Sequence, residues 1–166
     1  MYFKEIYPLS EALGKQCIEN GYLLVTAESC TGGLLAQSFT DIPGSSRWFE
    51  RGFVTYSNQS KVDCLEISPI TLDTYGAVSQ ETANEMAVGA IANGLGNLSI
   101  SISGIAGPDG GSKLKPVGTV FFAISNKKSI IFKYHANFPG DRSMIRNKAV
   151  LFVLNTLLKL TLNPQI

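Results

Sequence analysis

Histidine is nearly missing from this chain: His135 is the only one. A metal centre built from clustered imidazoles is thereby excluded. Cysteine is scarce as well. Cys17, Cys30 and Cys64 are odd in number, and no two have CxxC spacing. That argues against a disulfide scaffold and a structural zinc site, and it suits a reducing cytosol. No apolar run reaches the ~18 residues that a membrane-spanning helix needs. The longest, Ala149–Leu160, is interrupted by Asn155, Thr156 and Lys159. At the N-terminus, Met1-Tyr2-Phe3-Lys4-Glu5 brings charge too early for a signal peptide. Charge of one sign is lacking too: 14 basic residues face 13 acidic ones, with no basic stripe. Neither a nucleic acid nor a membrane is therefore expected as a partner. A small anion needs only an arginine or two, so a small phosphorylated substrate stays open.

What is present points to an ordinary folded domain. Hydrophobic residues make up 45% of 166 residues, enough for one full core and too short a chain for a second. Residues 1–166 are expected to form a single domain. The apolar pattern predicts helices over Pro8–Glu19, Leu34–Phe39, Asn58–Leu65, Ser79–Asn93 and Arg142–Leu160. Ser79 and Asp141 stand where N-caps belong. Strands are predicted over Tyr22–Ala27, Trp48–Tyr56, Leu98–Ser103, Val117–Ser125 and Ser129–Phe138, the last two as a hairpin around Asn126-Lys127-Lys128. Strands and helices in this order suggest an α/β fold, with helices on both faces of a central sheet. The hairpin makes that sheet mixed rather than purely parallel.

Three polar, glycine-bearing segments adjoin predicted strands, where α/β folds place their ligands. The first is Thr26-Ala27-Glu28-Ser29-Cys30-Thr31-Gly32-Gly33, a strand running through a turn into a helix. Its free N–H groups would suit an anion, although a tight turn before an N-cap explains it equally well. The second runs from Gly44-Ser45-Ser46 past Tyr56 to Lys61. A serine is a weak nucleophile until a base takes its proton. With histidine nearly absent, lysine is a natural base, provided that burial or a neighbouring cation lowers its pKa. Tyrosine can donate or relay a proton. Taken singly, Ser46, Tyr56 and Lys61 read more simply as loop, core-edge and helix-surface residues. The third segment is Ser103-Gly104-Ile105-Ala106-Gly107-Pro108-Asp109-Gly110-Gly111, within a Gly104–Pro116 stretch too long to be a plain connection. Related to it in function, Pro139-Gly140-Asp141-Arg142 sets an arginine at a helix start, able to clamp a phosphate or carboxylate.

Six stretches in order carry a resemblance: TAESCTGG (26–33), GSSRWFERGFVTYSN (44–58), YGAVS (75–79), SISGIAGPDGG (101–111), KPVGT (115–119) and FPGDR (138–142). Together they resemble the CinA C-terminal family, and within it the stand-alone nicotinamide-nucleotide amidohydrolases. The resemblance implies a three-layer α/β/α sandwich. It also implies hydrolysis of nicotinamide mononucleotide to nicotinate mononucleotide and ammonia, in pyridine-nucleotide recycling. A serine, a tyrosine and a lysine are the implied machinery, and the motifs map them to Ser46, Tyr56 and Lys61. Ser29 is implicated in the site as well and is the alternative nucleophile. For substrate binding the expected set is Ser29, Thr31, Gly32, Gly33, Ser103, Gly104 and Arg142. No metal or organic cofactor is required, and assembly of identical copies in the cytoplasm is expected. Two other readings compete: a non-catalytic nucleotide-binding or sensor member of the family, and a Mg²⁺-dependent phosphohydrolase. The second needs clustered carboxylates, and Glu28, Asp109 and Asp141 are widely scattered in sequence.

Overall fold

The computed structural model describes residues 2–162. Met1 and residues 163–166, which the single-domain expectation includes, lie outside the described residues. A π-helical turn, Tyr2–Ile6, leads into α1, Tyr7–Asn20. The sheet has the order β2-β1-β3-β4-β5. Its central strands β1 (Leu24–Glu28) and β3 (Leu98–Gly104) run parallel to each other and to β2 (Phe49–Val54). The hairpin strands β4 (Thr119–Asn126) and β5 (Ile130–Asn137) run antiparallel, so the sheet is mixed as the sequence suggests.

Alternation along β1 divides the core in two. Leu24 faces a large cluster that includes Leu13 of α1, Leu35 and Phe39 of α2 (Leu34–Thr40), and Val153 and Leu154 of α6 (Arg142–Leu160). Val25 and Ala27 face a smaller cluster on the other side. There they meet Leu65 of α3 (Asn58–Leu65), Leu72 of α4 (Pro69–Tyr75) and Met86 of α5 (Gln80–Ala92). The result is the three-layer α/β/α sandwich.

Two local features depart from a simple periodic reading. Alternating serines in Leu98–Ser103 look like the solvent face of a half-buried strand, yet β3 is buried on both faces. Its serines instead meet the helical layer below. Ser99 Oγ donates to Ala87 O and Ser101 Oγ to Ala83 O, each at 2.6 Å. Small alanines on α5 let the helix backbone come that close, and the hydrogen bonds offset the cost of burying hydroxyls. The second departure is α4, which falls in a stretch where the apolar pattern predicts no helix. Ser68-Pro69 opens it, with proline pre-set for the first helical turn, and Gly76 follows its last residue.

One close approach sets the position of α3. A Cβ on Gly89 of α5 would stand 2.0 Å from the carbonyl oxygen of Leu65, at the end of α3. Only glycine lets α5 pack there, and that contact fixes the helix that carries Lys61.

The connections define where a ligand belongs. From β1 the chain crosses one face through α2 to reach β2. From β2 it returns across the opposite face, through α3, α4 and α5, to β3. Such a reversal opens a crevice at the C-terminal ends of the parallel strands.

Candidate active site

At that edge the chain places Ser29, one residue past the end of β1. Its N–H donates to Ile102 O of β3 at 2.9 Å, which holds the start of the turn in the sheet. The preceding residue ties the same turn down from two directions. The Glu28 carbonyl accepts the Thr55 N–H at 2.9 Å. Its buried carboxylate accepts the N–H groups of Gly33, Leu35 and Ala36 at 3.1, 3.1 and 2.8 Å. One carboxylate thus satisfies the first orphan donors of α2, a strong charge-assisted cap.

Lys61 reaches this point from α3. Ser57 caps that helix by accepting the Ser60 N–H at 3.0 Å, and the helix aims Lys61 inward. The lysine is 0% exposed. Its Nζ lies 3.2 Å from Ser29 Oγ, 2.7 Å from Thr55 O and 3.5 Å from Tyr56 O. Burial lowers its pKa, opposed by the weaker influence of the Cys30 thiol. No carboxylate pairs with it among the described residues. A neutral amine has two N–H donors and one lone pair. The two carbonyls can take both donors, which turns the lone pair toward the serine hydroxyl. After protonation the third N–H occupies the position of that lone pair, so neither state requires rearrangement.

Cys30 is the chemical competitor beside Ser29. Burial, chiefly, pushes its thiol up to about 12. At neutral pH it holds its proton and is a poor nucleophile.

Tyr56 stands at the rim, a residue 62% exposed. Its hydroxyl accepts from Arg142 Nη2 at 3.0 Å, and Arg142 Nη1 donates to Gly107 O at 2.7 Å. This bridge connects the end of β2, the loop after β3 and the start of α6, which Asp141 caps through the Met144 N–H at 2.8 Å.

The structure separates Ser46 from this group. It lies, exposed, in a short 3₁₀ turn, Ser45–Arg47, immediately before β2. Lys61 lies past the other end of β2, so the whole strand, about 20 Å at ~3.3 Å per residue, stands between them. The expected Ser46–Lys61 pair therefore does not form within one copy, and the serine beside the lysine is Ser29. The turn Thr31-Gly32-Gly33 offers fewer free donors than its sequence suggests. Its Gly33 amide is held by Glu28 and its Gly32 amide by Ser29 O at 3.0 Å, so neither is free for an anion. Ser103 is fully buried, with Oγ donating to Ala77 O at 2.6 Å, and Gly104 pairs with Val120 in the sheet. Both support the crevice from below.

Two more of the quoted stretches prove to be scaffold. Lys115 Nζ donates to Val78 O at 2.6 Å and to Tyr75 O at 3.1 Å, which joins KPVGT to YGAVS. Among the described residues no three His, Cys, Asp or Glu side chains converge as metal ligands. No described helix is long and apolar enough to cross a membrane. Arg146, which no sequence motif singles out, also reaches the turn: its Nη2 donates to Thr31 O at 2.7 Å.

Comparison with known proteins fits this geometry. The CinA C-terminal domain model matches residues 6–161. The chain is 47% identical to a protein of Enterobacter agglomerans named nicotinamide-nucleotide amidohydrolase PncC, covering 94% of this chain and 95% of that one. The protein of the same name from Escherichia coli K12 is 48% identical, over 92% of this chain and 93% of its own. Among solved structures, the competence/damage inducible protein CihA from Agrobacterium tumefaciens superposes with a TM-score of 0.91. It is 40% identical, with coverage of 94% of this chain and 95% of that one. The chain belongs to the CinA C-terminal domain family.

Proposed function

We propose that this protein hydrolyses the carboxamide of nicotinamide mononucleotide, giving nicotinate mononucleotide and ammonia, with Ser29 as nucleophile and Lys61 as base. The observation that carries this reading is the fully buried Lys61 amine, 3.2 Å from Ser29 Oγ. The names of full-length relatives at 47–48% identity support the substrate class.

In this reading Ser29 Oγ attacks the carboxamide carbon while Lys61 Nζ takes its proton. The developing oxyanion needs donors next to the nucleophile. The backbone N–H of Cys30 follows Ser29 directly, the position that supplies one such donor in strand–turn–helix hydrolases. Collapse of the tetrahedral intermediate expels ammonia, which receives the proton from the Lys61 ammonium. A nicotinoyl ester of Ser29 is left. Water attacks it, Lys61 takes one water proton and returns it to Ser29 Oγ, and nicotinate mononucleotide leaves as the carboxylate, its remaining proton passing to the released ammonia in solution. Tyr56, braced by Arg142, orients the ring and its amide at the rim. The free thiols of Cys17, Cys30 and Cys64 are consistent with work in the cytosol. Self-association belongs to the same reading, supported by the apolar surface of Phe132, Tyr134, Phe152 and Leu160 beside edge strand β5.

The test is release of ammonia from nicotinamide mononucleotide by the purified protein, with and without EDTA. Equal rates are expected, because each proton transfer has a side chain assigned to it. Activity lost in EDTA and restored by Mg²⁺ or Zn²⁺ would refute the metal-free route. No ammonia, but tight nucleotide binding, would mark a sensor.

A further inference from the structure

Helix α2 has no side-chain cap at its own N-terminus. Gly33 stands at the N-cap position with φ +91°, and Gly32 before it has φ +59°. Two glycines in the left-handed region give this turn room but no preferred shape, so another group must impose one. A short polar side chain at the N-cap is the usual solution. Here the acceptor comes from the other side of the nucleophile. Glu28 is the last residue of β1, and its carboxylate takes the amides of Gly33 and Leu35 on one oxygen and that of Ala36 on the other. The side chain thereby closes a ring around Ser29-Cys30-Thr31-Gly32, joined covalently before the serine and by hydrogen bonds after it. A local cap would satisfy the helix equally well without enclosing those four residues.

Glu28 also bears on the base. Its main-chain oxygen accepts the Thr55 N–H at 2.9 Å, and Thr55 O accepts from Lys61 Nζ at 2.7 Å. Both members of the pair are thus referred to one residue, Ser29 through a peptide bond and Lys61 through Thr55. Glu28 is 0% exposed, so it does not meet substrate, and no Lys or Arg pairs with it among the described residues. Its three amide partners are what compensate a buried carboxylate, and withdrawing it would leave them unpaired.

We infer that Glu28 is the positioning residue of this site: its carboxylate fixes the turn that aims Ser29 Oγ at Lys61 and holds the Cys30 amide where the oxyanion develops. The inference rests on the proposed Ser29–Lys61 hydrolase. Glu28 acts through the geometry of the turn. It acts neither on the substrate nor on the protonation of Lys61, which burial and Cys30 govern.

Two variants separate reach from charge. Glu28→Asp keeps the charge and draws the carboxylate back by one methylene. Glu28→Gln keeps the length and sets an amino group against the Ala36 N–H. Ammonia release should show kcat lower by about 10²-fold in Glu28→Asp and by roughly tenfold or more in Glu28→Gln, since a misplacement of ~1 Å costs about that much. KM, the basic limb of the pH profile, and calorimetric binding of nicotinate mononucleotide should stay as in wild type. A fluorophosphonate gives a second readout that is independent of the nucleotide. Ser29 Oγ displaces fluoride from phosphorus, its proton passes to Lys61, and mass spectrometry identifies the labelled serine. The labelling rate should fall in step with kcat. Thermal melts establish that each variant is folded, and the isosteric Glu28→Gln carries the test if Glu28→Asp does not fold. Folded variants with kcat and labelling within about threefold of wild type would overturn the inference. So would a raised KM at constant kcat, which marks a role in binding, or a shifted basic limb, which marks a role in the charge of Lys61. A wild type that labels at Ser29 yet releases no ammonia would refute the deamidase, and the labelling rates of the two variants would then decide for or against Glu28. A wild type that does neither would overturn both.

Discussion

Lys61→Ala should lose nearly all deamidation, with kcat falling by about 10⁴ or more, because one side chain serves as base, acid and base again across two half-reactions. Ser29→Ala should fall equally far. The two depend on each other: the hydroxyl needs an acceptor for its proton, and the amine has no other hydroxyl within reach. The double variant should therefore be little worse than either single one, unlike the product of two independent losses. Steady-state kinetics of the three variants, with circular dichroism to verify folding, measures this. Fully additive losses would mean that the two side chains act in separate steps. Stability should not follow activity. Removing Lys61 relieves a buried amine of its desolvation, although it empties a packed position and leaves Thr55 O without its donor.

The second large effect is on pH. Burial holds the Lys61 pKa below the ordinary lysine value, which is ~10.4 in free peptides. The working form is the neutral amine. Activity must then rise with pH, tenfold per unit, until the pH passes the folded-state pKa, and level off above it. Below that pKa the ammonium cannot accept the Ser29 proton. The same shift fixes the sign for stability. The unfolded chain binds the proton more tightly than the folded one, so folding gains stability as pH rises between the two pKa values. Profiles of kcat/KM for wild type should show this basic limb with its midpoint below the free-lysine range, and Lys61→Ala should lack it in any residual rate. A wild-type profile still rising at pH 10 would show a lysine that burial leaves unperturbed, and would remove it as base at neutral pH.

Most of the framework is legible in the chain itself. Asp141 before Arg142–Leu160 and Ser79 before α5 read as caps because a short polar side chain precedes a long periodic run, and both accept the N–H three residues on. The Asn58–Leu65 helix coincides with its predicted span. Helix α4 is less visible, since a seven-residue apolar pattern is too short to set a period, and only Pro69 and Gly76 mark its ends. The serine face of β3 misleads: alternation reports two unlike faces, not which of them meets water.

The nucleophile shows where sequence and topology differ in what they supply. Ser46, Tyr56 and Lys61 share one stretch of chain, and the family resemblance maps the serine, tyrosine and lysine onto it. A strand lies between the first and the other two, and residues before and after a strand sit at opposite ends of it. Ser29 follows a strand that runs parallel to its neighbours, so the rule that ligands gather at C-terminal ends favours it over Ser46 once the directions are known. Lys61 gives no sign of burial, because a lysine on a short helix normally reaches water. Its depth depends on Gly89 admitting α5 beside Leu65, a contact between helices some twenty residues apart. Arg146 is invisible in the sequence for a related reason: on α6 it looks like any solvent-facing arginine, and only the packing of α6 over the Ser29 turn brings it to the site.

The central claim is that the Ser29 hydroxyl, delivered to Lys61 at the end of β1, performs the attack. One assay tests it most directly: ammonia release from nicotinamide mononucleotide by Ser29→Ala and Ser46→Ala, side by side with wild type. The geometry predicts an inactive Ser29→Ala and a Ser46→Ala that keeps turnover within about tenfold of wild type, since losing a nucleophile costs many powers of ten and losing a remote hydroxyl does not. A Ser29→Ala enzyme with near-normal turnover, beside a dead Ser46→Ala, would contradict the account.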